Sequence, residues 1–125
     1  MGNYKLEISQ QEDYLYAYYE AEKDTVALSN KVWKGISKKM KELKLTKLLV
    51  VENIKMNPST VLEMYQIVQA TFKLGFVGKS IAFVDLVEDH FEHNKFGETL
   101  AVNLGVNAKI FKTVDQAKKW LKDQP

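Results

Sequence analysis

Read from its N-terminal end, the chain alternates apolar and polar residues over Tyr4-Lys5-Leu6-Glu7-Ile8, which predicts a strand with Tyr4, Leu6 and Ile8 on one face. A polar turn, Gln10 to Asp13, leads to a second alternating run. There Tyr14, Tyr16 and Tyr18 face one way and Leu15, Ala17 and Tyr19 the other. Strands joined this closely are expected to form an antiparallel hairpin. The periodicity then changes to that of a helix, capped by Asp24 and running to about Leu43, with Trp33, Ile36, Met40 and Leu43 as its buried stripe. Lys31, Lys34, Lys38 and Lys41 repeat at the same steps about 200° round the axis and form the outer face.

Leu48 to Val51 is a continuous apolar run, the pattern of a central strand covered on both faces. Asn57 and Pro58 read as the N-cap and first position of a second helix that extends to about Leu74. Its stripe is Val61, Tyr65, Val68 and Phe72, widened by Leu62, Met64 and Ile67, and Gly75 follows as the residue that ends it. Ser80 to Val84 is the next strand. A third helix covers about Phe91 to Leu104, with Phe96, Leu100 and Leu104 inward, Gly97 permitting close approach and Gly105 closing it. Ala108 to Phe111 is the last strand, and Thr113 to Gln116 is a capping box for a final helix that buries Val114, Ala117 and Leu121. The order ββαβαβαβα predicts one α/β domain over residues 1–125, with a mixed, mostly parallel sheet of about five strands and helices packed on it.

Composition narrows the function. With 46% hydrophobic and 27% charged residues the chain has the make-up of an ordinary globule. It has no cysteine, which removes disulfides, thiolate metal sites and cysteine nucleophiles. All of its 18 basic residues are Lys. Without Arg it lacks the bidentate donor that specific nucleic-acid readers favour, so no nucleic-acid partner is expected. The opening MGNYKLEISQ has no apolar core segment and no run is long enough to span a membrane, so a cytoplasmic location is expected.

Two segments invite chemistry and are read conservatively. Gly75 to Ser80, GFVGKS, has the wrong glycine spacing for a phosphate-binding loop and leads from helix to strand. Asp85 to His93, DLVEDHFEH, carries four carboxylates and both histidines. His90 and His93 are three apart rather than four, and acidic residues suit the first turn of a helix, so no metal is expected. Replacing either histidine is then expected to matter no more than a surface substitution, about 0.5 kcal/mol.

The C-terminal third resembles the SpoIIAA-like family of the STAS superfamily, small bacterial α/β domains. The residues that carry the likeness are Phe91, Phe96-Gly97, NLGVNAKIF from Asn103 to Phe111, and DQAKKWL from Asp115 to Leu121. The opening hairpin and KLLVVENI, Lys47 to Ile54, fit it too. The resemblance implies parallel βαβ crossovers in the right-handed sense and action by binding other proteins. In anti-sigma-factor antagonists of that superfamily a Ser at the start of the helix after the central strand is phosphorylated. The matching positions here are Ser59 and Thr60, in a loop that lacks the Asp and Gly of those relatives' Asp-Ser-Ser-Gly-like run. The family is also similar to CRAL-TRIO lipid carriers.

Two functions follow as expectations. The first is a non-enzymatic regulatory module that meets a protein partner through the loop from Glu52 to Thr60. Asn57, Ser59 and Thr60 act there at the helix start, and Glu52 and Asp85 make the edge negative. The second is a carrier or sensor of a small apolar, lipid-like ligand in a pocket lined by Phe72, Phe76, Phe83, Phe91 and Phe96. Self-association into a homodimer stays open. No cofactor is called for. An enzyme is not expected, since no GxSxG elbow or paired nucleophile accompanies the two histidines.

Overall fold

The structure, a computed structural model, describes residues 3–56 and 60–125, and every side chain among them except that of Leu74. The hairpin strands β1 (Tyr4–Gln11) and β2 (Tyr14–Ala21) pair antiparallel, with Leu6 opposite Tyr19 and Ile8 opposite Ala17. Strands β3 (Lys47–Ile54), β4 (Ser80–Asp85) and β5 (Asn107–Phe111) add in parallel, and the spatial order is β1-β2-β3-β4-β5. The mixed five-stranded sheet and its helices are those that the periodicities predict. No helix among the described residues is long and apolar enough to cross a membrane.

Because spatial order follows chain order, crossovers of a single hand carry the connecting helices to the same face of the sheet. These are α1 (Val26–Leu43), the rod formed by α2 (Val61–Ile67), a π-helical turn (Val68–Phe72) and α3 (Lys73–Gly75), and α4 (Phe91–Asn103). Their apolar faces close over Leu15, Ala17, Tyr19, Leu48, Val50 and Ile81. The opposite face, bearing Leu49, Val51, Ala82 and Val84, is covered by α5 (Val114–Lys122) through Ala117 and Leu121. Burial on both sides is why β3 reads as an unbroken apolar run: Leu48 to Val51 are all at most 3% exposed. Tyr14, Tyr16 and Tyr18 lie at the margin of the α5 face, half-buried.

Several details differ from the expected ones. The α1 cap is Thr25, whose side chain accepts from the Leu28 N–H at 3.1 Å. Asp24 turns inward instead, taking the Tyr19 hydroxyl (2.9 Å) and the Ser29 hydroxyl (2.6 Å). The second helix starts at Val61 with Thr60 as its cap; Asn57, Pro58 and Ser59 lie outside the described residues. Thr60 and Glu63 form a reciprocal capping box: the Thr60 side chain accepts from Glu63 N–H (3.1 Å) and the Glu63 carboxylate from Thr60 N–H (2.8 Å).

The inward face of that rod is Met64, Ile67, Val68, Thr71 and Phe72. Tyr65, one residue and about 100° past Met64, points out, as do Val61 and Leu62. Gly75 is the last helical residue rather than the one beyond it. Its lack of a side chain serves packing: a Cβ there would stand 2.5 Å from Ser37 Oγ on α1. On α4, Phe96 faces solvent and Asn94, Gly97 and Ala101 face in. Gly105, at φ +92°, closes α4 as its position implies.

Candidate functional site

Parallel α/β sheets gather their functional groups where the strands end and the helices begin. Here three carboxylates arrive at that edge from successive strands. Asp24 follows β2, Glu52 lies in the last turn of β3's pleat, and Asp85 is the final residue of β4. The register places Glu52 between Tyr19 and Asp85. All three border a partly open cavity of about 80 Å³ lined by the sheet, α1, the α2 rod and α4.

The cavity exists because small residues stand where large ones would close it: Gly97 and Ala101 on α4, Ala108 on β5. Its deeper walls are apolar, with Trp33, Ile67, Phe72 and Phe83 among them. Trp33 and Phe72 meet edge to face at 4.7 Å between ring centroids, which fixes that wall.

Asp85 is the best-supported of the three acids. It accepts from the Val87 N–H (2.9 Å) and the Asn94 side-chain amide (2.7 Å), and His90 Nδ1 lies 3.3 Å from the same carboxylate oxygen as Asn94. Both His90 and Asp85 are buried. The expectation that the histidines are surface residues is therefore corrected for His90. The 3₁₀ turn Glu88–His90 rolls it inward just before α4 begins. His93 is half-buried, and burial, followed by the neighbouring His90, holds its pKa below the ordinary imidazole value, with Asp85 opposing.

Asp24 is held above the ordinary carboxylate range chiefly by burial, against the opposing hydrogen bonds from Ser29 and Tyr19. Glu52 differs from both. Its side chain has no hydrogen-bond or ionic partner among the described residues, and protein encloses it except where it opens to the cavity. Burial first, then the charges of Asp24 and Asp85, push its pKa well above the ordinary value. Perturbed acids in a concave, largely apolar setting make this cavity the candidate site.

The expected site residues divide as follows. Glu52 and Asp85 come together in the cavity, not on an exposed edge. Thr60 is exposed at the head of α2, and Asn57 and Ser59 lie outside the described residues. Of the five phenylalanines, Phe72 and Phe83 line the cavity. Phe76 is fully buried behind it, packed against Trp33 and Phe72. Phe91 lies under the Lys112 ammonium, 5.0 Å from its ring centre, and Phe96 is 39% exposed. Among the described residues no group of three or more His, Asp or Glu is placed to hold a metal ion. Sequence reasoning missed Asp24, Ser29, His90 and Asn94 as site residues. The one signal available was an acid at or near the C-terminal end of β3 and of β4, Glu52 and Asp85.

Compared with known proteins, the chain matches no family model, no curated protein and no solved structure.

Proposed function

We propose that this protein is a non-enzymatic carrier or sensor that holds a compact, largely apolar molecule in the cavity beneath α4. The observation that carries the reading is the cavity itself, lined by apolar side chains and by a carboxylate, Glu52, that has no hydrogen-bond partner among the described residues. Its volume of about 80 Å³ sets the size class. An apolar protein cavity of roughly 150 Å³ admits benzene, so this one takes a short chain or small ring, with any longer part of the ligand outside. A whole lipid tail of the CRAL-TRIO kind would need the helices to move apart.

The test is mass spectrometry of protein purified under native conditions, followed by the same measurement on Ala108→Phe, which fills the cavity from β5. A small molecule retained by the wild type and absent from a folded Ala108→Phe protein supports the reading. Equal retention by both places the ligand elsewhere and sinks it.

A second reading, the STAS-like module that binds a protein partner, is favoured by a different observation. Met56, Val61, Leu62 and Tyr65 are exposed together at the head of α2, each by about half or more. Val61→Asp with Leu62→Asp would abolish association with such a partner and leave the cavity's ligand in place.

A further inference from the structure

The reading of the cavity as a ligand site leaves one question of chemistry, namely the group that meets Glu52. We propose that the ligand is a cation: a compact primary alkyl- or arylammonium whose N–H groups bond to the Glu52 carboxylate and whose apolar part lies against Trp33 and Phe72. This inference rests on the ligand-site reading and deepens it.

Four observations converge on it. Glu52 lines the cavity with no donor of the described residues in hydrogen-bonding range. A carboxylate that faces the cavity in this way can accept from a ligand there, and an ammonium offers three donors at once. The neighbouring acids are not neutralised by lysine either. Asp24 accepts from the hydroxyls of Tyr19 and Ser29, and Asp85 from Asn94 and the Val87 N–H, with His90 Nδ1 3.3 Å away.

The surrounding charge therefore favours positive over negative ligands. Asp24, Glu52 and Asp85 stand on the cavity wall against one lining lysine, Lys109, while Glu98 is already paired with Lys95 at 3.1 Å. A carboxylate or phosphate would enter against like charge at short range in a poorly solvated space. The aromatic walls add in the same direction, since the faces of Trp and Phe attract an ammonium. Among the described residues, the acids and histidines on the wall are not grouped so as to hold a metal ion.

The site would also discriminate within amines. A primary ammonium can bond to Glu52 while its carbon chain points toward Phe72, whereas a quaternary ammonium has no N–H to donate.

Trp33 reports on the cavity, and Trp120 lies on the other face of the sheet, so Trp120→Phe leaves one relevant fluorophore. In that background, n-butylammonium, n-butanol and butyrate are titrated at neutral pH, with Glu52→Gln as the isosteric neutral variant. The expected result is butylammonium binding about tenfold or more tighter than butanol, with butyrate weakest, and loss of the amine's advantage in Glu52→Gln while butanol binds as before. Equal binding of amine and alcohol by the parent protein overturns the cation inference but leaves the ligand-site reading standing; this comparison needs no variant to fold. An amine preference that survives in Glu52→Gln overturns the role given to that carboxylate. If none of the three probes changes Trp33 emission, the inference and the ligand-site reading fall together.

Discussion

Glu52 and Asp85 stand side by side in register on β3 and β4, one satisfied by Asn94 and the Val87 N–H and the other with no hydrogen-bond partner among the described residues. Such a pair favours the protonated form of the unsatisfied partner. Glu52's folded-state pKa lies above its unfolded value, so the stability its proton confers is fully present below about pH 4 and is lost as pH rises through the raised pKa. Glu52→Gln keeps the shape and removes that loss. It is expected to raise the melting temperature clearly at pH 7–8, by the equivalent of about 0.5–2 kcal/mol, and hardly at pH 4. A gain of equal size at both pH values would show that Glu52 titrates as an ordinary surface acid.

The two histidines should separate on mutation. His90 is buried against Asp85 and Asn94 is buried beside it, so truncating either leaves Asp85 short of a partner. His90→Ala and Asn94→Ala are each expected to cost about 1–3 kcal/mol in urea unfolding. A loss of less than about 0.5 kcal/mol for His90→Ala, the surface range, would mean that the Asp85 interaction contributes nothing.

At the head of α2 the capping box makes its own forecast. Thr60→Ala removes the acceptor for the Glu63 N–H and should cost about 0.5–2 kcal/mol. Thr60→Asp restores an acceptor at the cap and should melt close to wild type. If a protein partner docks on the exposed Val61, Leu62 and Tyr65, Thr60→Asp adds charge beside that patch and weakens association without unfolding the helix. Binding as strong as wild type would remove this end of α2 from the recognition surface.

Gly75 is held to glycine by the neighbouring helix. Gly75→Ala would drive a methyl group into Ser37 Oγ, and overpacking of this kind costs about 1–3 kcal/mol. Ser37→Gly should recover much of that loss in the double mutant, although it is itself unfavourable in a helix interior. Additive losses in the double-mutant cycle would show that the two positions do not touch.

The sheet was legible because each strand announces itself by a periodicity that its surroundings then satisfy. Tyr14 to Tyr19 alternate because α1 and α5 lie on opposite sides of β2, and Leu48 to Val51 do not because both sides are dry. The site was only half legible, for reasons equally physical. Asp24 next to Thr25 offers two acceptable caps, and only the reach of Tyr19 and Ser29 decides that Asp24 goes inside. On α4 the inward residues are Asn94, Gly97 and Ala101, which look like a polar or neutral face. The conspicuous Phe96 was taken for core and is not. A cavity is made of side chains that are absent, and hydrophobic periodicity registers only those that are present.

The coincidence of strand order with chain order bears on how the protein comes into being. Each new strand docks on the one synthesised just before it, so the sheet can grow in the direction of translation without waiting for distant segments. The exception is α5, which follows β5 in the chain and packs on the other face. Until it arrives, Leu49, Val51, Ala82 and Val84 form a bare apolar face on an otherwise finished sheet. A chain that has emerged as far as Lys112, with α5 still to dock, would thus be a nearly complete sheet with one adhesive side.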